Sequence, residues 1–295
     1  MTKLTDVQLI GCRLLDEFAR VCKQYNLQWF ADSGTLLGAI RHGGFIPWDD
    51  DVDVVMPRAD YNRLLELGNS IFTEPFFLQT YKTDNECSFN VQLRYSESAK
   101  IRAFETSKFF RPDGLHFSSN KGIAMDICPI DNVPASDKEC KVISDFVKFL
   151  QHYCSVRLIT YTEYNDYLYI DDYTMAVKLF DRKLEHIGKV NANSGFIGCT
   201  TWWGMSTYAG CKVKTDCYSS YIEMPFTNCK EPIRIPIGYH DILIAYYGDY
   251  MIEKQNGSMH ECVGNTLFDC KHSYKAYEQF DNATILKMIE TGETL

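Results

Sequence analysis

The stretch from Trp48 to Met56, WDDDVDVVM, constrains the chain more than any other. Three consecutive carboxylates, Asp49, Asp50 and Asp51, are followed one residue later by Asp53. Like charges this close repel one another unless cations neutralise them or water solvates them. Val52, Val54 and Val55 argue against a solvated turn, because β-branched residues favour an extended strand with buried faces. Alternate side chains of a strand share a face, so Asp51 and Asp53 are expected to point the same way. Two oxygen ligands on one face suit Mg²⁺ or Mn²⁺, since magnesium binds through one or two carboxylates together with substrate phosphates. Phosphoryl chemistry is the expected partner. A calcium loop is excluded: Val54 stands where glycine must make the turn, and Asp60 where the bidentate glutamate belongs.

Upstream, the apolar segment Leu27 to Ala31 ends in Asp32, Ser33, Gly34 and Thr35, and a short helix-like run follows from Leu36 to Arg41. A small hydroxyl and a glycine at a strand-to-helix junction let backbone N–H groups approach a phosphate. Downstream, Asp126 is embedded in an apolar strand pattern, Ile123 to Ile127, where a carboxylate is costly unless paired or metal-bound.

The run GTLLGAIRHGGFIPWDDDVDV resembles the signature of the LicD family, the bacterial phosphocholine transferases whose eukaryotic relatives include the fukutin group. Weaker matches continue through AMDICPID (Ala124 to Asp131) and AYYGDYM (Ala245 to Met251), so the resemblance spans most of the chain. It implies an α+β fold with a nucleotidyltransferase-like mixed β-sheet core flanked by helices. In that fold a Gly-Ser element precedes an Asp-x-Asp pair, and a third Asp arrives on a later strand. Position by position, the pair is Asp51 and Asp53 and the third carboxylate is Asp126. These three are the expected catalytic and metal-ligating residues. Ser33, Gly34, Thr35, Arg41 and His42 are the expected donor and phosphate contacts, with a surface ion pair as the other reading of Arg41.

The activity that the resemblance implies is transfer of a phosphorylated alcohol, phosphocholine from CDP-choline first among the CDP-alcohols, onto a glycan or lipid-linked glycan hydroxyl with release of CMP. The same metal pair would serve a nucleotidyltransferase that transfers NMP and releases pyrophosphate. A noncatalytic glycan- or metal-binding protein is the reading from a different class.

A net charge of −9 argues against a nucleic-acid binder working through a basic surface. The twelve cysteines include no CxxC pair and read as reduced, buried small hydrophobes. Gly38 and Gly43 have Walker-loop spacing, but Gly44 and Phe45 stand where Lys and Ser/Thr are required; GxGxxG and HExxH are absent. The N-terminal segment lacks the pattern of a secretory signal, and no apolar run is long enough to span a membrane. A cytoplasmic protein is expected, compatible with peripheral association at the inner face of the membrane.

Thr5 with Gln8 reads as a capping box opening a first helix that ends near Tyr25 or Asn26. Further helices are expected over 59–67, 137–157, 175–187 and 238–247, and strands over 76–81, 89–95, 100–104 and 123–127, with two extended runs in 221–237. Arg94 is the basic residue best placed within a strand. Asp131, after Pro129, reads as a turn or cap residue. Tyr161, Tyr164, Tyr167, Tyr169 and Tyr173 fit packing of a helical subdomain better than a cation–π cage for a quaternary ammonium. Trp202 and Trp203 are candidates for one side of a cleft. Pro47 and Trp48 read as structural. The expected organisation is one catalytic domain over 1–251, with a helical insertion at about 136–195 and a C-terminal appendix, 252–295, packed on it.

Overall fold

Helix α1 (Leu4–Tyr25) turns its periodic apolar residues, including Leu14, Phe18 and Val21, completely inward. It stops where Asn26 takes the left-handed conformation and its N–H caps Cys22 and Lys23. The expected capping box does not form. The helix starts at Leu4, which puts Thr5 inside its first turn, and Gln8 is drawn away: its Nε2 donates to the carbonyls of Ile46 (3.3 Å) and Asp49 (2.9 Å).

The computed structural model describes residues 3–84, 90–106, 117, 119–156, 158–161, 166–169, 173–201, 212–253 and 265–295. After α1 come β1 (Phe30–Ala31), α2 (Ser33–His42), β2 (Asp53–Pro57), α3 (Arg58–Leu67), β3 (Phe76–Gln79), β4 (Val91–Tyr95), β5 (Ala99–Arg102) and β6 (Ile123–Asn132). Next are α4 (Asp137–Val156), the hairpin β7 (Leu158–Tyr161) and β8 (Asp166–Tyr169), α5 (Tyr173–Val190), β9 (Phe196–Gly198) and β10 (Val213–Lys214). The chain closes with β11 (Tyr221–Met224), β12 (Ile233–Pro236), α6 (Tyr239–Tyr247), β13 (Thr266–Asp269) and α7 (Asn282–Thr291).

The central sheet has the order β1-β2-β6-β4-β3, with β9 on the end of β6 and β10 beside β9. β2 and β6 run parallel; their other pairings are antiparallel. This is the mixed-sheet α+β architecture that the sequence implies. Both faces of β2 are covered, which is why Val54, Val55 and Met56 read as an unbroken apolar run. α1 lies across β4 and β6, and the main core gathers around Phe18, Trp29 and Leu93. A second apolar cluster forms where β13 pairs with β5: Ile101 and Leu267 meet Tyr277, Ile285 and Ile289.

Three of the boundaries that differ from the sequence reading bear on the carboxylates. α2 starts at Ser33, so Ser33 to Thr35 form its first turn. β2 starts at Asp53, which leaves Asp51 just ahead of the strand. β6 continues past Pro129 to Asn132, so Asp131 is a strand residue and not a turn or cap. The side chains of Tyr161, Tyr167, Tyr169 and Tyr173, and all of Tyr164, Trp202 and Trp203, lie outside the described residues.

Candidate active site

Gly34 and Gly38, four residues apart, lie on one face of α2. The chain leaves the helix at Gly43, in the left-handed conformation (φ 68°), and runs back along that glycine face. A Cβ on Gly38 would meet the Gly44 carbonyl at 2.4 Å, and one on Gly34 would meet Asp49 Oδ2 at 2.5 Å. The returning loop is clamped from two sides. Gln8 holds the Ile46 and Asp49 carbonyls, and Thr227 donates its N–H (2.9 Å) and Oγ1 (2.8 Å) to the Gly43 carbonyl. The acidic run is thereby presented beside the first turn of α2. Asp49 and Asp50 are buried and Asp51 half-buried, and one ligand oxygen from each lies within 4.8 Å of the others.

Asp53 opens β2, with its N–H donated to Thr35 Oγ1 at 2.9 Å. Its register partner across the parallel pair is Asp126 on β6, whose partner on β4 is Gln92, whose partner on β3 is Gln79. Register partners present their side chains to the same face, so four polar residues form one row across the sheet. Asp32, whose N–H donates to the Asp53 carbonyl at 3.1 Å, extends the row past Asp53.

Burial pushes the Asp49 carboxyl up to about 9, with Asp51 and Asp50 adding to the rise. Asp53 is driven well above its ordinary range by burial, then by Asp51, Asp126, Asp49 and Asp32. Asp126 is raised by burial and by Asp51, against the hydrogen bond from Gln92. Asp32 rises to about 7 through burial, opposed by hydrogen bonds from Ser33, Tyr218 and Tyr246. Asp51, Asp53 and Asp126 thus act on one another electrostatically. Asp53 Oδ1 is buried with no hydrogen-bond partner among the described residues. A concentration of hard carboxylate oxygens, held at a cost that protons or cations would relieve, fits a divalent ion such as Mg²⁺ or Mn²⁺.

Of the phosphate contacts expected from the sequence, Ser33, Gly34 and Thr35 stand at this cluster. Ser33 has a positive φ of 47°, uncommon for a residue with a Cβ, and its Oγ donates to Asp32 Oδ2 at 3.2 Å. Arg41 and His42 lie at the other end of α2, about 12 Å away along its axis. Arg41 donates Nη1 to the Tyr250 carbonyl and Nε to His42 Nε2, each at 2.9 Å, and makes no ion pair among the described residues. His42 faces Glu253 at 3.7 Å and packs edge-on to Trp48; burial and Arg41 hold its pKa down.

Several residues at the cluster were not singled out as site residues in the sequence. Asp49 had its signal in the triple-Asp run. Asp32 had none beyond preceding a serine and a glycine. Gln92 and Arg94 alternate on one face of an otherwise apolar strand, which is a readable cue.

Residues 26–147 match the family model described as "LicD/FKTN/FKRP, nucleotidyltransferase domain", a span that contains every acidic residue of this site. The lipopolysaccharide cholinephosphotransferase LicD of Haemophilus influenzae is 30% identical over 280 residues, covering 85% of this chain and 93% of that protein. Two uncharacterized proteins match shorter stretches. That of Rickettsia prowazekii is 36% identical over 55 residues (19% of this chain, 21% of that protein). That of Rickettsia typhi is 40% identical over 48 residues (16% of each chain).

Proposed function

The chain belongs to the LicD family of phosphotransferases, and from that membership we propose that it moves a phosphorylated alcohol, phosphocholine first, from a CDP-alcohol to a hydroxyl of a glycan or lipid-linked glycan, releasing CMP. The name of the Haemophilus relative, a lipopolysaccharide cholinephosphotransferase, supports the transferred group and the class of acceptor. The observation that carries the reading is the arrival of carboxylates from separate stretches, Asp49 to Asp51, Asp53 and Asp126, at one end of the sheet.

In this reading Asp51, Asp53 and Asp126 hold Mg²⁺ or Mn²⁺. Bound there, the cation would screen the donor phosphates and stabilise charge on the departing CMP. The remaining work falls to the chain itself. Thr35 fixes the start of β2 and so aims Asp53. Gly34, lacking a side chain, lets the Asp49 carboxylate close on the first turn of α2 and so sets where that carboxylate stands. Asp126 orients the acceptor hydroxyl; a carboxylate engaged by a metal is a weak base, so placement is its contribution. A lipid-linked acceptor would bring the protein to the inner face of the membrane.

The test is incubation with Mg²⁺, a glycan acceptor and a panel of CDP-choline, CDP-ethanolamine, CDP-glycerol and CDP-ribitol, followed by phosphorus NMR. CMP should appear with one member of the panel. Label on the alcohol should reach the acceptor while label on cytidine stays in solution. Transfer of the cytidine label, or consumption of CTP with release of pyrophosphate, would replace this reading with nucleotidyl transfer.

A further inference from the structure

Arg94 is a half-buried cation that makes no direct ion pair among the described residues, and the way its donors are used is specific. Nε donates to Gln79 Oε1 (2.6 Å), Nη1 to the Gly122 carbonyl (2.7 Å) and Nη2 to Gln92 Oε1 (2.5 Å). Each glutamine then turns its amide nitrogen on a carboxylate: Gln79 Nε2 to Asp84 Oδ2 at 2.7 Å, and Gln92 Nε2 to Asp126 Oδ1 at 2.6 Å. One guanidinium thus reaches two carboxylates through two amides.

This wiring removes a freedom that glutamine ordinarily has. A primary amide accepts on one side and donates on the other, and its two ends exchange by a flip. In Gln92 a flip would set Nε2 against the Arg94 N–H groups and Oε1 against the Asp126 carboxylate, two repulsive contacts in place of two attractive ones. Gln92 is therefore locked as a donor toward Asp126, and the guanidinium on its oxygen strengthens that donor by polarising the amide. Asp126 Oδ1 is occupied from β4, and Oδ2 makes no hydrogen bond among the described residues.

Resting on the function proposed above, we propose that Gln92, locked by Arg94, is the positioning residue that fixes Asp126 with Oδ1 turned into the sheet and Oδ2 toward metal and acceptor. The pair Gln92–Arg94 is then the outer shell of the site. Outer-shell partners of metal-binding carboxylates set affinity as well as geometry.

The experiment uses the full chain and its Gln92→Leu, Gln92→Glu and Arg94→Lys variants, with thermal melts as the check on folding. Mn²⁺ binding is titrated by electron paramagnetic resonance, kcat and KM are measured with CDP-choline, and crystal structures report the Asp126 torsion. Gln92→Leu should weaken Mn²⁺ binding by about 10- to 100-fold. It should lower kcat more than it raises KM, and it should leave the Asp126 carboxylate rotated. Gln92→Glu, nearly isosteric and able to pair directly with Arg94, should act in the same direction because it offers Asp126 a charge in place of a donor. It carries the test should Gln92→Leu fail to fold. Arg94→Lys keeps the charge but lacks the planar fork, and should fall between parent and Gln92→Leu.

An unmoved Asp126 with unchanged Mn²⁺ affinity in folded Gln92 variants overturns the inference. A parent that releases no CMP from any CDP-alcohol, while Asp126 still rotates in Gln92→Leu, overturns the proposed function and leaves the positioning role standing.

Discussion

β2 and β6 lie side by side and present carboxylates at both ends, yet the two ends are built differently. At one end are Asp53 and Asp126. At the other, about 16 Å further along β6, Asp131 is gripped by Arg58 through Nε (2.8 Å) and Nη2, while Arg58 Nη1 reaches Asp181 of α5 at 2.6 Å. Burial works against the charge on Arg58, but Asp131 and Asp181 hold its pKa above the ordinary value. The guanidinium also stacks over Tyr61 at 5.2 Å. That end is closed within the fold. At the Asp126 end Arg94 stops one amide short, and Asp53 Oδ1 has no hydrogen-bond partner among the described residues. The same residue type on the same strands ties α3, β6 and α5 together in one place, and in the other keeps a demand for positive charge that a ligand can meet.

The sharpest way to break this comparison is to remove one charged group at the centre of each end. Asp53→Asn should lower CMP release by about 10³-fold or more, the several kcal/mol of transition-state stabilisation that metal coordination supplies. Its melting temperature should hold or rise, because burial and four neighbouring carboxylates penalise the Asp53 charge in the folded protein. Near-normal turnover in Asp53→Asn would remove β2 from the site. Arg58→Ala should do the opposite. Leaving Asp131 buried without its cation should cost about 3–5 kcal/mol in urea unfolding, with kcat per folded molecule little changed. A stable Arg58→Ala with lost activity would reverse the assignment of the two ends.

Proton linkage sharpens the same contrast with a smaller effect. The Asp49 carboxyl is raised from 3.8 to about 9 in the fold, so between those values the folded chain holds a proton that the unfolded chain has released. Its contribution to stability is complete below about pH 4 and is lost as pH rises through about 9, with a slope of at most about 1.4 kcal/mol per pH unit for each such group. Melting temperatures of the cation-free protein should therefore decline across that window. Saturating Mg²⁺ should flatten the decline by stabilising the ionised cluster. A cation-free profile that is already flat would show that the acidic end is not held at a cost.

The two ends were unequally legible in the sequence, for a physical reason. The Asp49 to Asp53 run and the valines after it are local, and charge repulsion and strand alternation act between neighbours, so the acidic strand could be read directly, whereas the mixed α+β sheet was implied by the family resemblance. The arginine site depends on partners 73 residues apart (Arg58 and Asp131) and 123 apart (Arg58 and Asp181), which no local pattern joins. Asp131 consequently read as a cap. The polar row Gln79–Gln92–Asp126–Asp53 exists only through strand register. Gln8 showed its capping-box spacing, but a tertiary demand, the carbonyls of the acidic loop, took its amide.

The smallest expected effect on stability separates local helix preference from the geometry of the site, and it uses one substitution at two places on α2. Gly→Ala within a helix ordinarily gains up to about 1 kcal/mol. At Gly38 the new Cβ would lie 2.4 Å from the Gly44 carbonyl and 3.1 Å from the Ile46 N–H, both backbone atoms of a loop that Thr227 and Gln8 hold in place. The loop cannot yield without breaking those bonds, so Gly38→Ala should lose about 1–3 kcal/mol in thermal or urea unfolding. At Gly34 the Cβ would lie 2.5 Å from Asp49 Oδ2, the end of a side chain that can swing aside. Gly34→Ala should melt within about 1 kcal/mol of the parent, the helix gain offsetting the displaced carboxylate. CMP release should nonetheless fall, because the carboxylate beside Asp50 and Asp51 has moved. Full activity in Gly34→Ala would take Asp49 and the glycine cradle out of the site, and an undiminished melting temperature in Gly38→Ala would show that the returning loop is not clamped.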